Sequence, residues 1–428
     1  MSSSMVAQRV EEAPTPAVIQ DLVQHYVALW HESDTCLPWL GPPYTRGAQR
    51  SNERRLDHFL AVVSAELEYA PQTEPEQQAM WERIGLAFRD VARSALEADE
   101  RALDTLLECG FLEATTEFAR MARRFDPAIT SEDIYQAGRN VWTANFLQLL
   151  LGMPVRVTPA IFAYSMLYPY SDNYLDDPAI PSATKLAFHE RFRTRLAGEP
   201  IALCDRHEQI ISDLVGIIEG QFDRACYPQV FESLLAIHRA QGKSLRQVRR
   251  NPAPHQIDVL GISFEKGGTS VLADGYLVAG SLTAEQRERI FGFGVLTQLM
   301  DDLEDLPQNL ADRFMTIFSQ TAGQRPLEAV TNRTLHLCAR ILGRLDGLGA
   351  ADLEPFKELI TRSVNLLLID SADRSARLYP GRYLRELEAH SPFSFAVLRK
   401  RRKQLARRQV SLPRLIDLLA APAFASAR

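Results

Sequence analysis

Two clusters of aspartate residues are the part of this sequence whose residue types and spacing could do chemistry. The first cluster is Asp172, Asp176 and Asp177, and the second cluster is Asp301, Asp302 and Asp305. In each cluster two aspartates stand four residues apart, which on a helix places them one turn apart on the same face. Like charges at that spacing destabilise a bare helix by roughly 0.2–0.5 kcal/mol, so the arrangement is favourable only with a cation. Carboxylates suit hard divalent cations, and Mg²⁺ prefers a few of them together with substrate phosphate oxygens.

Both clusters follow strongly apolar segments, residues 161–170 and 290–300. Carboxylates at the rim of an apolar helical cavity suit the ionisation of an allylic diphosphate, because metal ions neutralise the leaving pyrophosphate and a dry pocket shelters the carbocation. The alternative for one cluster alone is a solvated helix end, since acidic residues are common in first turns, where they meet the positive end of the helix dipole. Two such clusters, each closing an apolar helix, favour the metal site. Glu304 is the exception, because it should point away from Asp301 and Asp302 and be exposed.

The residues around both clusters resemble those of a known superfamily, the class I isoprenoid synthases. The first cluster resembles the DxxxDD motif of squalene and phytoene synthases. The second cluster, preceded by Gln298, resembles the GxxFQxxDDxxD motif of trans-polyprenyl diphosphate synthases, with Thr297 in place of the aromatic residue. Lys266 lies in a segment similar to the KTxxL of the polyprenyl type, and Tyr276 in one similar to the YxxVAG of the squalene type. The resemblance covers roughly residues 140–320.

The resemblance implies an all-α, isoprenoid (terpenoid) synthase-type bundle with the two clusters facing each other across a central cavity. It implies that the six aspartates are catalytic and hold metal, as three Mg²⁺ ions with bound diphosphate, Mn²⁺ being the alternative ion. The substrate implied is a prenyl diphosphate, with Lys266, Gln298 and Tyr276 as contacts. Arg313, after the second cluster, is a further candidate for the diphosphate, and an exposed basic residue is the alternative for it.

The chain also departs from each subclass of the superfamily. It has no Gly-Gly-Lys-Arg-like segment to anchor isopentenyl diphosphate and no Arg-Arg-Gly after the first cluster. The squalene-type arginine positions before that cluster hold Thr143 and its neighbours instead, and the NSE motif of many terpene cyclases is missing. Three functions are therefore open. We expect transfer of the prenyl group to a second prenyl unit, with a terpene cyclase as the runner-up and a non-catalytic helical binding protein as the third.

Composition and charge argue against several other classes. A net charge of −6 on 428 residues is unlike a protein whose main partner is nucleic acid. The five cysteines form no CxxC pair, which predicts buried small side chains in a reducing compartment. No secretory signal is visible, and the most apolar stretch, 146–170, is interrupted by Pro154, Arg156 and Pro159. We expect a soluble cytoplasmic protein.

The elements that must position the clusters are helices, because apolar residues recur every three or four positions and no sustained two-residue alternation occurs. We expect a disordered N-terminus (1–17), helices packed on the core (18–125), a catalytic α-bundle (126–385) and a basic C-terminal helix or tail (386–428). The basic segment 393–408 predicts a solvated helix, with a peripheral membrane contact as the alternative, since prenyl compounds are lipidic. A homodimer is also left open.

Overall fold

The protein is all-α throughout the part of the chain that the structure describes. The computed structural model describes residues 16–69, 71, 73–177, 179–247, 257–345, 348, 354–408 and 412–420. No strand occurs among these residues, which confirms the predicted class. The first helix begins at Ala17, and the rest of the segment predicted to be disordered, apart from Pro16, lies outside the described residues.

The helices follow one another through short connections. In the first half they are α1 (Ala17–Glu32), α2 (Arg46–Glu68), α3 (Glu74–Ala95), α4 (Glu100–Glu108), α5 (Phe111–Phe125), α6 (Ser131–Leu150), α7 (Pro159–Asp176), α8 (Ser182–Leu196), α9 (Arg206–Gln221) and α10 (Pro228–Ser244). In the second half they are α11 (Val259–Ala279), α12 (Ala284–Glu304), α13 (Leu306–Ala311), α14 (Ile317–Thr321), α15 (Glu328–Leu342), α16 (Glu354–Arg374), α17 (Gly381–Ala389), α18 (Phe395–Arg408) and α19 (Leu412–Ala420). Single 3-10 turns lie at Leu245–Gln247 and Ala376–Leu378.

One continuous hydrophobic core joins the described helices other than α2, with α11 at its centre. Helix α11 is buried on nearly every face, as expected of a helix that is apolar all round, and it packs against α1, α6, α7, α10 and α12. Helix α1 belongs to the same core, because Tyr26 stacks on Phe291 and Trp30 packs edge-on against Phe264. The core thus runs through the N-terminal helices into the bundle, and the boundary at residue 125 stays a prediction.

Helices α11 and α12 form an antiparallel pair whose backbones approach very closely. A Cβ atom added to Gly294 would lie 2.2 Å from the carbonyl oxygen of Gly267. One added to Gly267 would lie 2.5 Å from the carbonyl oxygen of Gly294 and 2.4 Å from the Cβ of Gln298. Only glycine fits at either position, and this contact fixes the register of α12 against α11.

Four of the central helices begin at residues whose side chains accept a backbone N–H. These N-caps are Thr130 of α6, Thr158 of α7, Asp258 of α11 and Thr283 of α12. Each such cap stabilises a helix by roughly 1 kcal/mol. These capping residues therefore set where the four helices begin.

The basic C-terminal helix α18 is attached to the rest of the protein by ion pairs. Arg399 and Arg402 both bond the carboxylate of Asp373, whose side chain is fully buried on α16. Arg401 pairs with Asp57 on α2. These arginines are therefore engaged within the protein. The peripheral membrane contact stays a prediction, and it would have to use the remaining cations of this helix.

Replacing Asp373 by asparagine should lower the free energy of unfolding by roughly 1–3 kcal/mol, because two arginines lose the buried charge that they share. Urea unfolding of wild type and variant measures the difference. The matched control is Glu358→Gln, which removes an exposed carboxylate bonded to Arg362 and should change stability little. Equal effects of the two substitutions would contradict the anchoring role.

The prediction that the cysteines are buried is wrong for three of the five. All five are free, but Cys36, Cys204 and Cys226 are exposed, and only Cys338 is fully buried. The three exposed thiols lie in loops rather than on the apolar faces of helices, where the chain is solvated. Among the described residues, no helix is both long enough and apolar enough to cross a membrane.

Candidate active site

Both aspartate clusters lie where a helix ends. Helix α7 ends at Asp176 with Asp177 as its C-cap, and α12 ends at Glu304 with Asp305 as its C-cap. The C-terminal end of a helix carries the negative end of its dipole, so carboxylates there are disfavoured unless a cation is present. The alternative of acidic residues at a helix N-terminus therefore does not apply to the first cluster, whereas Asp305 of the second cluster is also the N-cap of the short helix α13.

The two clusters also lie at the same end of the bundle, because α7 and α12 both run antiparallel to α11. On α7, the Tyr168 hydroxyl is 2.7 Å from the hydroxyl of Ser270 on α11, and Asp172 lies one turn beyond Tyr168. One turn before Ser270 is Lys266, whose charge acts on Asp301 and Asp302 of α12. The first turns of α11 are thus the shared neighbour of both clusters.

In the first cluster, Asp172 is held by two polar neighbours. Its Oδ1 accepts hydrogen bonds from Gln241 Nε2 at 3.1 Å and from the Ser171 hydroxyl at 3.2 Å. Asp177 is exposed, and its carboxylate accepts the backbone N–H of Ala179 at 2.8 Å. The side chain of Asp176 lies outside the described residues. Asp172 is therefore the member of this cluster that the structure fixes within the protein.

In the second cluster, Asp302 is the most buried carboxylate. Its Oδ1 accepts a hydrogen bond from Gln298 Nε2 at 2.8 Å, and its buried Oδ2 has no partner. Burial raises the pKa of Asp302 to about 7, against the lowering effects of Gln298 and Lys266. A buried carboxylate oxygen without a partner fits a cation ligand, and binding a cation would favour the ionised form.

Asp301 is half exposed and pairs with a residue that the sequence did not point to. The guanidinium of Arg139, on α6, donates to Asp301 Oδ1 at 3.2 Å. Burial raises the pKa of Asp301, while Arg139 lowers it and Asp305 raises it further. Thr143 occupies a position where squalene-type enzymes have an arginine, and Arg139 stands one helical turn before it. A search one turn upstream of that position would have found Arg139.

Lys266 is the second cation at this end of the bundle. It is half-buried, and its ammonium group has no hydrogen bond and no ion-pair partner within 4 Å among the described residues. Its neighbour Glu265 is already engaged by Lys243, at 2.8 Å to both carboxylate oxygens. The ammonium group of Lys266 is thus available to an added anion.

Of the other predicted contacts, Gln298 lies at the second cluster, and Tyr276 and Arg313 stay predictions. Gln298 positions Asp302, as described above. Tyr276 is buried ten residues beyond Lys266 on α11, roughly 15 Å further along the helix. Arg313 is exposed after α13 with a left-handed φ of 58°. Glu304 is exposed and pairs with Arg374, which confirms the prediction made for it.

The described side chains, which exclude Asp176, include no group of three or more His, Cys, Asp or Glu residues arranged to hold a metal ion by themselves. Mg²⁺ often binds through one or two carboxylates, with substrate phosphates and water completing its shell. The half-exposed oxygens of Asp301 and the unpartnered Oδ2 of Asp302 fit that kind of site. A metal here would depend on a phosphate-bearing ligand.

An open recess lies beside the first cluster, between α7, α8 and α10. Its lining is mostly apolar and aromatic: Tyr164, Leu167, Tyr168, Ser171, Phe192, Leu196, Leu234, Ile237, His238 and Gln241. Ser171 and Gln241, which hold Asp172, form its polar rim.

A buried polar network links α6, α7 and α11 behind this recess. Asn140 Nδ2 donates to Asp274 Oδ1 at 2.9 Å and to the Ser165 hydroxyl at 3.0 Å. Asp274 is fully buried, and its Oδ2 has no partner. Burial raises the pKa of Asp274 well above its usual range, against the lowering effect of Asn140. This side chain therefore holds its proton more strongly in the folded protein than in the unfolded chain.

The substitution Asp274→Asn should remove a pH dependence of stability. The folded protein keeps a proton on Asp274 that the unfolded chain releases above about pH 4, so the contribution of this group is full below that pH and is lost as pH rises. Because asparagine does not titrate, the stability of the variant relative to wild type should increase between pH 5 and pH 8, measured by urea unfolding. Asp213→Asn, at an exposed position on α9, is the control. A constant difference across this range would show that Asp274 is ionised when folded.

The chain matches no protein-family model, and a search of curated proteins finds no match either.

Proposed function

We propose that this protein is a Mg²⁺-dependent enzyme that ionises an allylic prenyl diphosphate and transfers the prenyl group to a second prenyl unit. The observation that carries the proposal is the position of the two clusters. Both lie at helix C-termini, where the dipole disfavours carboxylates, and at the same end of the bundle. A bound divalent cation offsets that cost and gives the carboxylates a role.

In this proposal the aspartates hold the metal and two cations meet the diphosphate. Bound Mg²⁺ would act as a Lewis acid on the leaving pyrophosphate. Lys266 has no partner among the described residues and would meet the phosphate oxygens as a point charge. Arg139 pairs with Asp301 at 3.2 Å and is near enough to turn to the diphosphate. Gln298 and Gln241 would keep Asp302 and Asp172 oriented.

The recess beside Asp172 would receive the prenyl chain. Tyr164, Tyr168 and Phe192 give it aromatic walls, which can stabilise a cation through their ring faces. Burial raises the pKa of both tyrosines, so their hydroxyls stay neutral, and Ser270 hydrogen-bonds both of them. Fixed hydroxyls and apolar walls keep water from the carbocation.

The free thiols fit the cytoplasmic location that the sequence predicts.

A terpene cyclase is the second candidate, and one observation favours it. The described residues that line the recess include no lysine or arginine. A second diphosphate substrate needs its own cationic anchor, whereas intramolecular capture of the carbocation needs none.

Incubation of the purified protein with prenyl diphosphates of ten to twenty carbons and Mg²⁺ tests the proposal. Release of diphosphate shows ionisation. Longer or condensed chains show transfer to a second prenyl unit, and cyclic hydrocarbons or alcohols from a single substrate show cyclisation. If no diphosphate is released from any of them, with Mg²⁺ or Mn²⁺, the proposed function is wrong and a binding protein becomes the better account.

A further inference from the structure

One buried imidazole in the wall of the recess lacks the partner that a buried polar group normally has. His238, on α10, is 4% exposed and lines the recess. Its Nε2 has no hydrogen-bond partner, and its ring stacks on His189 with 3.8 Å between centroids. Most buried side-chain polar atoms are paired, so an unpaired ring nitrogen in a cavity wall points to a ligand or a catalytic role.

The surroundings of His238 keep its ring neutral. Burial lowers the pKa of His238 well below its usual range, and His189, Arg193 and Arg239 lower it further, while an interaction with the His189 backbone raises it. A neutral imidazole keeps a lone pair on one ring nitrogen. No other side chain among the described lining residues is a base of comparable strength, because the rest are apolar, phenolic, hydroxyl or amide groups.

The position of His238 relative to the first cluster is equally specific. It stands three residues before Gln241 on α10, so both side chains lie on the same face of that helix. Gln241 bonds Asp172, where the metal and diphosphate are proposed to lie. His238 is therefore about one turn further into the recess, where the chain of the substrate would extend.

We propose that His238 is the base that ends the reaction by removing a proton from the carbocation in the recess. This inference rests on the proposed function and holds for transfer and for cyclisation. The C–H bond next to the cationic carbon breaks, its electron pair forms the new C=C bond, and the proton moves to Nε2. The released diphosphate then accepts that proton, which restores the neutral imidazole and leaves hydrogen diphosphate. The product is an alkene rather than an alcohol.

The test is the product ratio of His238→Phe, which keeps an aromatic ring for the stack on His189 but has no basic nitrogen. With the prenyl diphosphate that the wild type turns over, the ratio of alkene to alcohol should fall at least about tenfold, because a general base typically contributes 10²- to 10⁴-fold. Diphosphate release in a single turnover should fall less than alkene formation does, since ionisation precedes the proton transfer. His238→Asn, polar but not basic, should show the same change. The matched control is His336→Phe, at a histidine that contacts the Cys36 carbonyl and should leave the ratio unchanged.

The outcomes separate this inference from the proposed function. An unchanged alkene-to-alcohol ratio in folded His238→Phe or His238→Asn overturns the inference and assigns the proton to the diphosphate itself, while diphosphate release by the wild type keeps the proposed function. If both variants lose diphosphate release together with alkene, His238 is structural and the inference is wrong. A wild type that releases no diphosphate overturns both.

Discussion

Replacing Asp301 by asparagine is expected to lower the rate of diphosphate release by at least about 100-fold, with the fold intact. An amide is a much weaker ligand for Mg²⁺ than a carboxylate, and removing a single group that stabilises developing charge commonly costs that much. Stability should change little, because the ion pair with Arg139 is largely exposed and exposed pairs contribute little. The variant should also need more Mg²⁺ to reach half of its maximal rate.

The matched control is Glu304→Gln, three residues further along α12. Glu304 carries the same charge near the same helix end, but it is exposed and pairs with Arg374. Its substitution should leave the Mg²⁺ dependence of diphosphate release within about twofold of wild type, since it contacts neither the proposed metal site nor the recess. If both variants lose activity equally, general charge near this helix end matters, and a metal bound specifically by the second cluster is ruled out.

The sequence predicted the helical class and the two clusters because both depend on local patterns. Apolar periodicity is a local property, and so is the i, i+4 spacing of the aspartates. Helical periodicity does not show at which end of a helix a residue lies. The prolines in the sequence do indicate the end, because proline favours positions just beyond the C-terminus of a helix. Pro178 directly follows the first cluster, and Pro307 follows the second cluster after one residue.

Of the two cations at the site, Lys266 was predicted from its motif, whereas Arg139 was not, because its role depends on which helices become neighbours. Arg139 lies 162 residues before Asp301, and the only sequence signal for it is its position one turn before Thr143. His238 lies on an apolar helix and resembles any buried histidine in the sequence. Only the packing of α10 against α7 and α8 places it in the wall of a recess. The predicted substrate contact of Tyr276, roughly 15 Å along α11 from Lys266, stays a prediction.

Gly294→Ala is expected to destabilise the protein by roughly 1–3 kcal/mol or more, because the new methyl group has no space. Its carbon would lie 2.2 Å from the carbonyl oxygen of Gly267, which is backbone and cannot rotate away. Alanine is otherwise the better helix former, so any loss of stability comes from the contact between α11 and α12. Urea and thermal unfolding measure the change. Gly85→Ala in α3 is the matched control, because a Cβ atom there meets nothing within 4 Å, and it should stabilise the protein by about 0.5–1 kcal/mol.

The same substitution should impair the site beyond its effect on stability. Gly267 directly follows Lys266, and Gln298, one turn after Gly294, positions Asp302. A separation of α11 from α12 therefore moves the lysine away from the second cluster, which lies on α12 together with Gln298. A displacement of about 1 Å in a catalytic arrangement can cost about 100-fold in rate. Diphosphate release by Gly294→Ala, assayed where the variant is still fully folded, should fall accordingly. A folded variant with wild-type activity would show that the site does not depend on this helix contact.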